Sequence, residues 1–311
     1  MSVAVVIPCR NAASFVEVSV ASVYGQSVKA SEVVCVDDGS NDDTPAVLSA
    51  CQRRYPGLVV IDQPPRGACA ARNAGLIRTT AEWVQFLDAD DVLLPRKLES
   101  QLTMAAHSPE AAVIIGSYLE VDRERKLIRE MIERPDPDIA IALMVSRAGR
   151  TSSLLWRRRT VVEAGGWSES LGSSQEYELM FRLLLRGHRL LFDERPLTQV
   201  RRIGSGGITS TNVADNARRF LELRCEMFER LSVEGYPYQA ELAQALFAAI
   251  RLAYSYDRRV ALAALRRYLS PSFVPTMSRL YGLAFRVSGI RGAEIVSKAV
   301  AVLFAPAAAR R

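Results

Sequence analysis

Three carboxylates fall within four positions, Asp88, Asp90 and Asp91, directly after the apolar run Trp83-Val84-Gln85-Phe86-Leu87. Acids this close repel by about 1–4 kcal/mol per pair at 4 Å in water-like to surface-like surroundings. Either the turn lies open to water, as acidic turns ahead of helices do, or something positive sits among the acids. Asp88 and Asp90 are spaced i, i+2 at a strand end, so both side chains can point to one side. That pair suits a hard divalent cation, Mn²⁺ or Mg²⁺, which takes oxygen ligands from one or two carboxylates and from substrate phosphates. Asp91 is left for another task. Two more polar clusters, Pro8-Cys9-Arg10-Asn11 and Asp37-Asp38-Gly39-Ser40, also follow short apolar runs.

The elements that would position these clusters alternate. Val3 to Ile7, Glu32 to Val36, Leu58 to Ile61 and Trp83 to Leu87 read as buried strands. Between them lie helical stretches: one from a Ser14/Glu17 capping box to about Gly25, one capped by Ser40 and Asp43, and one from Gly67 to Thr79. Such alternation implies right-handed crossovers and an α/β fold with a mostly parallel sheet, whose ligands bind beyond the carboxyl ends of the strands. The three clusters are expected to meet in one cleft there. Beyond them come a helix from Pro95 to about Ala106, a strand from Ala111 to Gly116 and a charged, irregular region to Asp138. A strand over Leu154 to Arg158, a short helix over Val161 to Gly166, an amphipathic helix over Gln175 to Arg186 and a strand within 188–202 follow. A flexible Gly204-Ser205-Gly206-Gly207 closes this unit. From Ala214 the pattern is helical, with later helices over Arg258 to Leu269 and Met277 to Phe304. The expected domains are therefore 1–212 and a helical region 213–311.

A chain of 311 residues, 49% hydrophobic and 24% charged, can bury a large core. Its five cysteines are dispersed without a C-x-x-C and it has two histidines, which disfavours a zinc site or a disulfide framework and points to a reducing, cytoplasmic setting. The N-terminus runs straight into a strand-length segment, unlike a signal peptide. The longest uncharged apolar stretch, Ala299 to Ala309, is too short to span a bilayer. Residues 1–200 carry 23 Lys and Arg against 26 Asp and Glu, whereas 201–311 carry 17 against 8. The positive charge belongs to the C-terminal region.

The ordered motifs resemble those of family 2 glycosyltransferases, whose catalytic domain has the GT-A fold. The residues that carry the resemblance are Val5-Val6-Ile7-Pro8-Cys9-Arg10-Asn11, the run EVVCVDDGS over Glu32 to Ser40, Arg66-Gly67-Ala68-Cys69-Ala70-Ala71-Arg72-Asn73-Ala74-Gly75, and FLDADD over Phe86 to Asp91. Gly165-Gly166-Trp167 and Gln175-Glu176-Tyr177-Glu178-Leu179 complete them. The likeness covers about the first 210 residues and implies a nucleotide-sugar donor (residues 1–116) and an acceptor side (117–212). By the same likeness Asp38 contacts the nucleotide base, a lean toward UDP or dTDP because a carboxylate accepts the imide N–H of uracil or thymine. Pro8 and Arg10 line the base, Arg66 faces the diphosphate, Asp88 and Asp90 hold Mn²⁺ or Mg²⁺, and Arg72 pairs with a carboxylate of the cleft. Glu176 stands at the general base of an inverting transfer, with Glu178 as the alternative. Relatives usually show Glu-Asp where this chain has Gln175-Glu176. Arg201 and Arg202 either help neutralise the leaving group or face water at a strand edge.

Other readings are a nucleotidyltransferase of the same fold, disfavoured because no glycine-rich basic loop follows the first strand, and a module that binds sugar nucleotides without turnover. No Q-x-x-R-W motif follows the base, so single-sugar transfer to a glycan or glycolipid, in cell-surface glycan assembly, is expected rather than processive synthesis. The basic C-terminal helices either pack on the catalytic domain or contact anionic lipid peripherally at the inner membrane face. Nucleic acid is not an expected partner, since the basic residues lack interleaved aromatics.

Overall fold

The computed structural model describes residues 1–135, 137–202 and 213–303. The chain forms two compact units, Met1–Thr211 and Asn212–Arg311. In the first, β1 (Val3–Cys9), α1 (Val16–Tyr24), β2 (Glu32–Asp37), α2 (Thr44–Arg54), β3 (Leu58–Asp62), α3 (Ala68–Arg78) and β4 (Trp83–Phe86) alternate as expected. Then come β5 (Val92–Leu93), α4 (Lys97–His107), β6 (Ala111–Val121), β7 (Leu127–Met131), α5 (Ile139–Met144), β8 (Leu154–Arg157), α6 (Arg158–Glu163), α7 (Gln175–Leu185) and β9 (Arg189–Arg201). One sheet runs in the order β3-β2-β1-β4-β8-β6-β9-β5, with β7 added on β6. The β1, β2, β3 and β4 pairings are parallel, while β8 lies antiparallel between β4 and β6. The result is a mixed, mostly parallel sheet flanked by helices.

The first strands read as unbroken apolar runs because both faces are covered. On one face, side chains of β1, β2 and β4 form a core with α1, α2 and α4 that includes Val5, Ile7, Val16, Val20, Leu48, Leu87 and Leu98. On the other, Val34 and Val36 pack with Ala71 of α3. That helix lies directly on β1: a Cβ at Gly75 would come within 2.2 Å of Val6 Cγ1, so only glycine permits the approach. Pro8 sits inside a central strand because β4 pairs with β1 only as far as Val6. Its missing N–H lies past the last rung on that side and costs the ladder nothing.

Several local expectations need correction. The fifth strand continues past Gly116 to Val121 and turns back as the β6–β7 hairpin within the stretch read as irregular, and Ile139–Met144, just beyond that stretch, is helical. Neither the expected Ser14/Glu17 capping box nor the expected Ser40/Asp43 cap forms. The Glu17 carboxylate pairs with Arg54 at 2.8 Å, and Asp42, not Ser40 or Asp43, accepts the Thr44 N–H at 3.0 Å. The glycine-rich 204–207 segment lies outside the described residues.

The second unit comprises α8 (Val213–Val233), α9 (Gln239–Tyr254), α10 (Arg258–Tyr268) and α11 (Arg279–Leu303). Its helices close around an aromatic group in which Phe247 of α9 lies 5.4 Å from Phe273, 6.3 Å from Tyr281 and 5.3 Å from Phe285, between ring centres. Helix α11 bends at Gly289, whose φ is 64°. Among the described residues no helix is long and apolar enough to cross a membrane.

Candidate active site

The turns after β1 and β2 are tied together. The Asn11 N–H donates to Ser40 Oγ, and the Asn41 N–H to Asn11 Oδ1, each at 2.9 Å. Asp38, 2% exposed, lies at the centre of this rim. Its Oδ1 accepts from Gln63 Nε2 at 2.7 Å and from the Arg66 N–H at 2.8 Å, and its Oδ2 from the Gly67 N–H at 2.8 Å. Arg10 adds a longer contact, 3.4 Å, from a side chain that is 52% exposed. Burial alone would raise the Asp38 carboxyl, but these donors together hold it below the usual carboxylate range. The Arg66 guanidinium turns outward to Glu169 at 2.8 Å.

Arg72 joins the donor and acceptor sides. Projecting from α3 and 4% exposed, it donates from Nη2 to Asp88 Oδ1 at 2.7 Å and from Nη1 to Gln175 Oε1 at 2.6 Å. Its guanidinium lies 4.8 Å from the Trp167 ring centre, a cation–π contact. The next residue, Asn73, grips the backbone of Trp167 in both directions, Nδ2 to O and N–H to Oδ1, each 2.9 Å. Gly166 must be glycine here, since its φ is +74° and a Cβ would meet Asn73 Oδ1 at 2.7 Å. Two adjacent residues of one helix thus hold the acidic turn, the Gly165-Gly166-Trp167 turn and the first residue of α7. Gln175 is the acceptor for Arg72.

Glu176 therefore follows directly on a residue bonded to the same guanidinium as Asp88, and its charge acts on both Arg72 and Arg150. Glu178 faces elsewhere. It pairs with Arg182, whose Nη2 also donates to Gly166 O at 2.8 Å, and so fastens α7 to the glycine turn. The Tyr177 hydroxyl donates to Gly149 O at 2.8 Å, which anchors the same turn of helix from its other side.

The acidic turn itself is uneven. Asp91, buried at 3% exposure, accepts the Arg201 N–H at 2.8 Å and ties β9 to the turn. Burial, then the charges of Asp90 and Asp88, push its carboxyl well above the usual range. Asp90 is half-buried, and burial with the charge of Asp88 raises it to about 6 against the pull of Arg201 and Arg125. Arg125, at the β6–β7 turn with φ of 61°, reaches the Asp90 carbonyl at 3.3 Å. Arg201 lies over the Phe15 ring at 3.9 Å. Among the described residues, Arg125 Nη1 and Arg201 Nε are buried without a hydrogen-bond partner. Arg202 donates its N–H to Val121 O at 2.8 Å.

Three participants were not singled out from sequence. Ser152, which is fully buried, accepts the Asp88 N–H at 3.0 Å, but nothing in Thr151-Ser152-Ser153 marks it. Arg125 lay in the stretch read as irregular. Gln175 was visible only as a departure from pattern.

Among the described residues, no group of three or more His, Cys, Asp or Glu side chains could hold a metal ion on its own. The donor set nonetheless suits Mn²⁺ or Mg²⁺. Asp88 gives one oxygen to Arg72, and burial followed by the charge of Asp88 raises the Asp90 carboxyl despite Arg201 and Arg125. Such ions complete their shell with water and substrate phosphate.

Comparison with known proteins agrees with this architecture. Residues 4–166 match the model of glycosyl transferase family 2. An uncharacterized glycosyltransferase of Rickettsia conorii is 27% identical over 250 residues, covering 76% of this chain and 40% of that protein. The chain thus spans less than half the length of that relative. Among solved structures, Staphylococcus aureus TarS 1–349 in complex with UDP-GlcNAc aligns over 96% of this chain and 91% of that one, with a TM-score of 0.68 at 17% identity. The mannosyltransferase PcManGT of Pyrobaculum calidifontis, in complex with GDP-Man and Mn²⁺, aligns over 98% and 81%, with a TM-score of 0.61 at 20% identity. These two share the fold. The chain belongs to glycosyl transferase family 2 and has its GT-A fold.

Proposed function

We propose that this chain transfers a single sugar from a nucleotide-sugar donor to a hydroxyl of a glycan or glycolipid, with inversion at the anomeric carbon. The observation that carries this reading is the Arg72 guanidinium, which binds Asp88 of the acidic turn and Gln175 beside Glu176. A donor diphosphate seated at Asp88 and Asp90 then has its sugar facing Glu176. Residues 1–116 serve the donor, 117–212 the acceptor, and 213–311 form the basic helical region.

The base sits by the turns after β1 and β2, against Pro8 and Arg10. A uracil or thymine imide N–H would replace Arg10 on Asp38 Oδ2, the longest of its four contacts and the one made by a half-exposed side chain. This favours UDP or dTDP. Asp88 and Asp90 hold Mn²⁺ or Mg²⁺, which when bound supplies positive charge to the diphosphate. Arg125 and Arg201, each with a buried N–H lacking a partner among the described residues, add donors on the same side, and Arg66 is free to exchange Glu169 for phosphate. Glu176 accepts the hydroxyl proton as the acceptor oxygen bonds to the anomeric carbon and the bond to the diphosphate oxygen breaks. The setting proposed is cell-surface glycan assembly, with peripheral membrane contact through the C-terminal helices.

Glu176→Gln tests the assignment. Expected is donor binding within about twofold of wild type and transfer slowed by roughly 10²–10⁴-fold, the usual contribution of a positioned base. Wild-type transfer by this variant would remove Glu176 from the role.

A further inference from the structure

Helix α11 carries two apolar faces, one packed within its own unit and one exposed among the described residues. Its inner side is settled by contacts: Phe285 lies 5.3 Å from Phe247 and 6.3 Å from Phe273, and the buried Tyr281 donates to Glu294 at 2.7 Å. On the outer side Leu280, Leu283 and Val287 are 59%, 61% and 80% exposed. At about 100° per residue these three, with the exposed Arg279 and Arg286, fall within an arc of roughly 120°. The two arginines lie along one edge of that arc, Leu283 along the middle and Leu280 with Val287 along the other. Met277, 49% exposed, precedes them. A cleft of about 470 Å³ opens beside the arginine edge, lined by Thr276, Ser278, Arg279, Leu283 and Arg286 among others.

Scattered exposed leucines need no explanation, but an aligned stripe at i, i+3 and i+7 edged with arginine does. Charge decides what fits it. Residues 258–311 hold ten Lys and Arg and a single acid, Glu294, which is occupied by Arg251. A protein partner would have to supply all the negative charge, whereas an anionic bilayer offers it beside an apolar layer, in the order the helix face presents.

We propose that this face of α11 docks on an anionic phospholipid surface, with Leu280, Leu283 and Val287 entering the acyl boundary and Arg279 and Arg286 meeting phosphate head groups at the adjoining cleft. The inference deepens the membrane contact proposed above and names its surface. It does not depend on sugar transfer.

The test is sedimentation of the full chain with phosphatidylcholine vesicles, with and without 30% phosphatidylglycerol. Wild type is expected to partition at least tenfold more strongly onto the anionic vesicles. L280S/L283S/V287S should lose at least tenfold on them. R279Q/R286Q should lose the preference for phosphatidylglycerol, and R279K/R286K should keep it. All of these residues are exposed, so the variants should melt within a few degrees of wild type. Wild type that binds neither vesicle overturns the membrane reading itself. Variants that bind like wild type overturn this face and leave membrane contact to other helices. An oligomer in sedimentation equilibrium that the triple-serine variant dissolves, with vesicle binding unchanged, shows instead that a second copy covers the stripe.

Discussion

Two acidic turns stand at the carboxyl ends of strands on either side of β1, and they are built in opposite ways. Asp38 is ringed by four donors that hold its carboxyl low, whereas Asp90 is raised to about 6 by burial and then by the charge of Asp88. A carboxylate whose oxygens are all bonded orders a loop. One whose charge is left unbalanced is prepared for something that arrives from outside. The same acidic residue type thus serves in one turn as framework, with only its long Arg10 contact open to exchange, and in the other as receptor, and donor count tells them apart.

The contrast should break most visibly in activity. Asp90→Asn is expected to reduce transfer by roughly 10²–10³-fold or more, the several kcal/mol that a bound divalent ion contributes, with the fold intact by circular dichroism. Asp38→Asn should act first on the fold, because its new NH₂ would face backbone N–H groups. A loss of about 2–3 kcal/mol in urea unfolding at pH 7 is expected. If Asp38→Asn proved as stable as wild type while Asp90→Asn unfolded, the two roles would be reversed.

Proton linkage sharpens the distinction. A lowered folded-state pKa, as at Asp38, gives stability that is present above about pH 4 and lost as the pH falls further. A raised one, as at Asp90, has the opposite sign: stability declines as the pH climbs from about 4 through 6. Wild type is therefore expected to lose on the order of 1–2 kcal/mol between pH 4.5 and 7 that Asp90→Asn keeps, read from urea midpoints across that range. Because metal competes with the proton, Mn²⁺ affinity should be roughly tenfold weaker at pH 5 than at pH 7.5. An effect on stability alone is expected at the packing that carries the turns. Gly75→Ala must push Val6 aside and should cost about 1–3 kcal/mol, less whatever the better helix former returns, measured by thermal unfolding.

Much of this was legible in the sequence. Strands buried on both faces leave continuous apolar runs, so β1, β2 and β4 could be read directly, and the acidic and polar ends of those runs marked the rim. The β6–β7 hairpin could not be read in the same way, because Leu127 and Ile128 are exposed and flanked by charge, so no apolar alternation announces it. The links within the site were hidden for a different reason. Arg72 finds Gln175 103 positions away, and Arg201 finds Asp91 110 positions away. The donors that saturate Asp38 include the backbone N–H groups of Arg66 and Gly67, which every residue but proline possesses. Residue types announced a site, but which acid was satisfied and which was not depended on the fold.

The most direct measurement is calorimetric titration of UDP, dTDP and GDP into wild type and Asp90→Asn, each in Mn²⁺ and in EDTA. Expected is binding of UDP or dTDP by wild type that strengthens at least tenfold in Mn²⁺, with no such gain for Asp90→Asn. Equal affinity in Mn²⁺ and EDTA for wild type, or an undiminished Mn²⁺ gain in Asp90→Asn, would contradict the assignment of this turn to a cation and a diphosphate.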